Sequence, residues 1–251
     1  MTQDQEQPLI AHLVELRNRL LKAVLVILAL FIGMFYFAND LYLILVEPLS
    51  VLLPQAQGQM IATGVAAPFL VPFKLTMVLA IFLGMPFVLH QAWAFISPGL
   101  YLHEKKFAVP LLLSSIILFY AGIAFAYYVV LPLAFGFFTF AAPEGISVMP
   151  DIGNILDFIL KIFFAFGVAF EIPVATFLMV LSGITTVESL SEKRPYIFLG
   201  CFVVGMLVTP PDVISQTILA VPMYALFEGG VLASRLIRKR DDDAEQESEQ
   251  V

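Results

Sequence analysis

Cysteine is almost absent from this chain, and so is charge. Cys201 is the only cysteine among 251 residues and lies in an apolar run, which excludes an intramolecular disulfide and leaves a cysteine metal site without support. His12, His90 and His103 fall on separate segments, so no imidazole cluster offers a metal centre. The phosphate-cradling G-x-x-x-x-G-K-[ST] loop, the zinc-protease H-E-x-x-H and the nucleophile elbow G-x-S-x-G are all missing. An enzyme, and with it any catalytic residue, metal or cofactor, is therefore not expected. Charged residues make up only 13% of the chain, while 60% is hydrophobic and the mean hydropathy is +0.93. Soluble domains hold about a quarter charged residues, so the chain belongs in a bilayer. The net charge of −7 is mostly local. Six acids crowd residues 241–251, a segment whose composition reads as a solvated tail.

What is present is a series of long apolar runs. Residues 20–38, 75–96, 107–131, 155–181, 195–209 and 213–227 read as six spans, with Pro132 taken to end the third. The last two hold 15 residues each, roughly 22 Å of helix against a hydrocarbon core of about 30 Å. Short spans of this kind point either to simple mismatch or to a bilayer thinned beside them. Ahead of the first span, Leu9, Leu13, Leu16 and Leu20 recur with helical spacing. Residues 1–19 are thus expected to form a cytoplasmic amphipathic helix, with Pro8 near its first turn, running into the first span. The acidic, polar first residues do not form a cleavable signal peptide. Residues 39–74 read as an outer cap, a short surface helix followed by an extended return. Residues 235–251 read as a charged tail.

Orientation follows from the basic residues. In a six-span arrangement, eleven of the thirteen Lys and Arg residues fall on one side, and only Lys74 and Lys161 on the other. The positive-inside rule puts both termini in the cytoplasm. The expected architecture is an all-α integral membrane protein, six transmembrane helices with the last two short.

Few polar residues remain to carry a function. Glu15, in "HLVELRNRL", can pair with Arg19 one helical turn on, an ordinary contact worth a few tenths of a kcal/mol. Glu104, in "SPGLYLHEKKF", can pair with Lys105 or Lys106. Both acids also stand as local exceptions on a positive face, where a cationic ligand would seek them. Glu188, Glu192, Lys193 and Arg194 read as a solvated loop, and Ser114–Ser115 as hydroxyls bonded to helical carbonyls. Glu171, in "AFGVAFEIPVATF", lies mid-span two residues before Pro173. A carboxylate at that depth must face a cavity or the bundle interior, and Pro173 can open the helix beside it.

Five motifs, "HLVELRNRL", "FISPGLYLHEKK", "AFGVAFEIP", "KRPY" and "TPPDVISQ", occur in order from about residue 9 to residue 235. Together they resemble the TatC family, the multispanning core subunit of the twin-arginine protein translocase. The resemblance implies a concave helical bundle in the bacterial cytoplasmic membrane. It further implies a receptor for twin-arginine signal peptides of folded passengers, driven by the protonmotive force. It assigns signal-peptide binding to Glu15, Glu104, Phe95, Leu16 and Arg17, whereas Glu171 reads, from its depth, as the polar floor of an intramembrane groove. Docking of the single-span TatA- and TatB-type partners falls to Met206, Thr209, Asp212 and Gln216, with self-association in the receptor complex. The competing expectation is a proton-coupled small-solute transporter using Glu171 with Lys161 and Asp157. The residues disfavour it, because no repeat or paired broken helices accompany that acid.

Overall fold

The computed structural model of the chain describes residues 3–50, 61–96, 108–140, 151–209 and 213–249. Among them there is no strand, only one isolated bridge. The elements are α1 (Gln3–Phe35), α2 (Ala38–Ser50), α3 (Ala67–Ile96) and α4 (Ala108–Phe125). A π-helical turn (Ala126–Val130) then leads into α5 (Leu131–Phe140). There follow α6 (Ile152–Ala169), α7 (Ile172–Leu181), α8 (Val187–Glu192), α9 (Arg194–Val208) and α10 (Val213–Glu249). Five stretches among the described residues are long and apolar enough to cross a membrane: Ile10–Phe35, Ala67–Phe95, Val109–Phe138, Ile152–Leu181 and Val213–Leu236. Arg194–Val208 is a sixth, shorter apolar helix. Helices satisfy their own backbone hydrogen bonds, the condition a hydrocarbon solvent imposes.

The chain divides into two compact units, residues 1–116 with 147–156, and residues 117–146 with 157–251. In the first, α1 packs along α3 through Phe31, Phe35 and Phe73, whose rings meet edge to face at 5.2 and 5.9 Å. The α1 helix is continuous across residue 20, so the amphipathic segment and the first span are one rod, which begins upstream of Pro8. The second span begins at Ala67 rather than at residue 75, and the outer cap is shorter by those residues. Pro68 occupies the first turn, where its missing N–H costs nothing, and Pro72 removes a single bond one turn later. The short helix expected in the cap is α2.

Asp151 ties the cap to the start of α6. Its Oδ2 accepts from the Thr63 backbone N–H at 2.9 Å and the Thr63 hydroxyl at 2.7 Å. Its Oδ1 accepts from the N–H groups of Gly153 and Asn154 at 3.0 and 3.1 Å. Ile61 bridges the same place, accepting from Ile152 N at 2.9 Å. The Thr63 N–H first, then the Thr63 hydroxyl, hold the carboxyl down from its ordinary 3.8 to about 2. Nearby Tyr42 is raised, chiefly by burial and then by the Asp151 charge. A depressed carboxyl stabilises the fold above its ordinary pKa and stops doing so as pH falls through the lowered value. The clasp is thus fully formed at neutral pH and releases as pH drops from about 4 towards 2. Hydrogen exchange at the Thr63 amide should rise over that window. Asp151→Asn should exchange fast at every pH, and slow exchange in the variant would refute the clasp.

In the second unit α10 packs on α7 and α9. Val187, Leu190, Phe227 and Val231 form one buried cluster there, with Ile172, Ile197 and Tyr224 against them. Two span ends differ from those expected. Pro132 does not end the third span, because the π turn precedes it: Leu131 N–H reaches back five residues to Ala126 O, and helix resumes to Phe140. The widened turn displaces the carbonyls that the proline ring would otherwise strike. The sixth helix does not end near Phe227 but runs to Glu249, through the segment expected as a solvated tail. Glu228 is tolerated inside it because it is paired, and Gln, Glu, Ala and Arg beyond are good helix formers. The fifth span, α9, keeps its expected 15 residues, whereas the apolar stretch of the sixth, Val213–Leu236, is 24 residues and not short.

Candidate functional site

Three places hold the residues that the sequence singles out. The first is on α1 and the end of α3. Arg19 donates Nε and Nη2 to the single oxygen Oε1 of Glu15, at 2.9 and 2.6 Å, the i,i+4 pair expected from spacing. Arg17 donates to Asn18 Oδ1 at 3.1 and 3.3 Å, and Leu16 is exposed. Phe95, half-buried, stacks on His12 with ring centroids 4.1 Å apart and planes 20° from parallel. His12 and Glu15 are three residues apart on one helix, and so lie on neighbouring positions of one face. The stack therefore sets Phe95 against α1 about one turn before Glu15. Sequence reasoning did not give His12 this role. Its place in "HLVELRNRL", one turn before the acid, was the available signal. Glu104 lies outside the described residues.

The second place is the interruption between α6 and α7. Helix α6 stops at Ala169, and Glu171 N–H turns back to Val168 O at 3.0 Å, a tighter bond than the α pattern. Pro173 then opens α7, so its absent N–H falls in a first turn. The expected opening of the helix by Pro173 is thus realised at Phe170–Glu171. Glu171 is half-buried, with Oε1 shielded from solvent. A recess of about 460 Å³ beside the break is lined by Phe125, Phe170, Pro173 and Pro222, among others, and Glu171 is not in its wall.

The third place is α9 and α10. Gln216 donates Nε2 across to the Phe202 carbonyl at 3.0 Å, and a Cβ on Gly205 would meet Gln216 at 3.2 Å. The expected hydrogen bond to a neighbouring span is made, but to backbone rather than to a side chain. Thr209 is buried, with its hydroxyl on Gly205 O at 2.9 Å, and Met206 is half exposed. Asp212 lies outside the described residues.

One group differs from its sequence reading. Arg194, expected in a solvated loop, donates Nη2 to Glu228 Oε2 at 2.7 Å, and Tyr224 donates its hydroxyl to Glu228 Oε1 at 2.7 Å. The pair is 34 residues apart in the chain, a separation that no local pattern reveals. Ser114 behaves as expected, donating to Leu111 O at 2.8 Å.

A family model described as Sec-independent protein translocase protein (TatC) matches residues 11–222. The chain belongs to the TatC family. It is 59% identical over 241 residues to the Sec-independent protein translocase protein TatC of Azotobacter chroococcum mcd 1, covering 96% of this chain and 94% of that one. The TatC of Escherichia coli (strain K12) is 54% identical over 235 residues, 94% and 91% of the two chains. A crystal structure of the twin arginine translocase receptor TatC superposes with a TM-score of 0.80 at 34% identity, covering 90% of this chain and 98% of that one. The TatC resemblance read from five motifs is thus the family of the whole membrane domain. These matches give no support to a small-solute transporter.

Proposed function

We propose that this TatC-family chain is the signal-peptide receptor and core scaffold of a twin-arginine translocase. It exports folded proteins across the bacterial cytoplasmic membrane using the protonmotive force, with both termini in the cytoplasm. The observations that carry this reading are the Glu15 carboxylate on α1 and the His12–Phe95 stack about one turn before it on the same helix. A guanidinium prefers a planar carboxylate, and an aromatic surface next to it receives the apolar part of a signal. Glu104, three residues beyond "SPGLY", supplies the second acid for the second arginine, with Leu16 and Arg17 bordering the surface. Glu171 provides the polar floor of an intramembrane groove, distinct from the apolar recess at Phe125 and Pro222. The α9–α10 pair, through Met206, Thr209, Asp212 and Gln216, docks the single-span TatA- and TatB-type subunits, and copies of the chain associate in the receptor complex.

The Glu15–Arg19 pair sets the energetics of recognition. An incoming signal arginine that takes both oxygens of Glu15 displaces Arg19 from Oε1, so the exchange forfeits a contact worth a few tenths of a kcal/mol. Arg19→Ala should therefore tighten binding of a twin-arginine peptide about two-fold in a fluorescence-anisotropy titration. Weaker binding would mean that Arg19 itself contacts the signal.

The reading is tested with a photocrosslinker placed at Leu16 or Phe95, which spares both acids. Both positions should capture a twin-arginine peptide and reject its twin-lysine version, because lysine lacks the bidentate fork. Equal capture of the two peptides would overturn the assignment.

A further inference from the structure

The charged start of α9 and the middle of α10 enclose a recess that signal recognition does not use. Its volume is about 230 Å³, and Arg194, Glu228, Gly229, Val231, Leu232 and Arg235 line it. Helix α9 has 15 residues, roughly 22 Å against a core of about 30 Å, so its first residue, Arg194, is drawn to the headgroup level. Arg235 sits one residue before the end of the apolar stretch Val213–Leu236, which places it at a membrane boundary too. The two arginines share one recess and therefore one side of the bilayer.

Their hydrogen bonding leaves capacity for an oxyanion. Glu228 takes Nη2 of Arg194, but Arg194 Nε is shielded from solvent and has no acceptor. A shielded N–H on a cation is costly unless something accepts from it. Arg235 donates Nη2 to the neutral Ser191 hydroxyl at 2.7 Å. Within the lining there are two guanidinium groups and one carboxylate, a balance suited to a monoanion. Glu188 and Glu192 of neighbouring α8 are exposed to solvent. Val231 and Leu232 give the recess an apolar wall, and Gly229 leaves space beside it.

We infer that this recess binds the phosphodiester of an anionic phospholipid headgroup. The guanidinium donors meet the phosphate oxygens, and the Val231–Leu232 wall takes the glycerol and the first acyl methylenes. Free inorganic phosphate could use the same donors but gains nothing from that wall. The site is independent of the signal-peptide surface on α1 and stands or falls separately from it.

Native mass spectrometry of the purified full chain, given phosphatidylglycerol or phosphatidylcholine in detergent, tests the inference. The chain should retain phosphatidylglycerol in preference, and excess inorganic phosphate should not displace it. Arg235→Gln, at an exposed position, should lower that retention about five-fold, with Arg235→Lys intermediate. The double variant Arg194→Gln, Glu228→Gln removes the second guanidinium without stranding a charge, and should lower it similarly. Equal retention of the two lipids, unchanged retention in the variants, or ready displacement by inorganic phosphate would each overturn the lipid site.

Discussion

Glu15→Lys should lower the affinity for a twin-arginine peptide about thirty- to a hundred-fold and stop export of a twin-arginine reporter. The estimate has two parts. A charge-assisted bond to the signal guanidinium is lost, worth about 1.5–3 kcal/mol, and a repelling cation is put in its place. The value is held to the middle of that range because Glu15 is 38% exposed and water screens it. The fold should survive. On α1 the substitution replaces one i,i+4 attraction to Arg19 by a repulsion of similar small size. Glu15→Gln separates charge from shape, since it keeps the side-chain length and should fall between wild type and lysine. Normal crosslinking and export in the lysine variant would sink the receptor assignment at this residue.

Gly122→Leu should disrupt the second unit more than any surface change. A Cβ at Gly122 would stand 2.5 Å from the Phe166 carbonyl oxygen and 3.0 Å from the Phe170 ring. The nearest obstacle is backbone, which cannot rotate aside, so α4 and α6 must separate. Overpacking of this kind costs about 1–3 kcal/mol even for small additions, and leucine adds four carbons. The contact matters more in a bilayer than in water. Lipid tails are as apolar as the side chains, so helix association relies on close approach rather than on exclusion of water. Phe166 and Phe170 lead directly into the interruption at Glu171, so the same change should also disturb that carboxylate. The measurement is the temperature at which the detergent-solubilised chain loses its monodisperse elution peak. Gly33→Leu is the matched control, because nothing lies within 4 Å of a Cβ there. Equal behaviour of the two variants would show that the Gly122 approach carries no stability.

Much of this protein was legible in the chain itself. Bilayer class, span number and the all-helical form follow from apolar runs about as long as the hydrocarbon core is thick, a constraint that acts segment by segment. The Glu15–Arg19 pair was legible for the same reason, since i and i+4 are neighbours on any helix. The helix opening at Glu171 was written in Pro173, whose missing donor acts locally. The family could be read from five short motifs because their order spans nearly the whole membrane domain.

Tertiary structure decided what depends on partners distant in the chain. Pro132 stops a helix in isolation, yet the π turn ahead of it carries α5 to Phe140. Glu228 should break an apolar span, yet Arg194 and Tyr224 neutralise and hydrogen-bond it, and α10 continues. Asp151 carries no local mark of its partner, and only the fold brings Thr63, 88 residues away, to lock its carboxylate. His12 becomes the support of Phe95 only when α1 lies along α3. Periodicity and propensity are properties of a single helix, whereas a charge set in an apolar helix is held by the group opposite it. That group is chosen by packing, which no window of sequence contains.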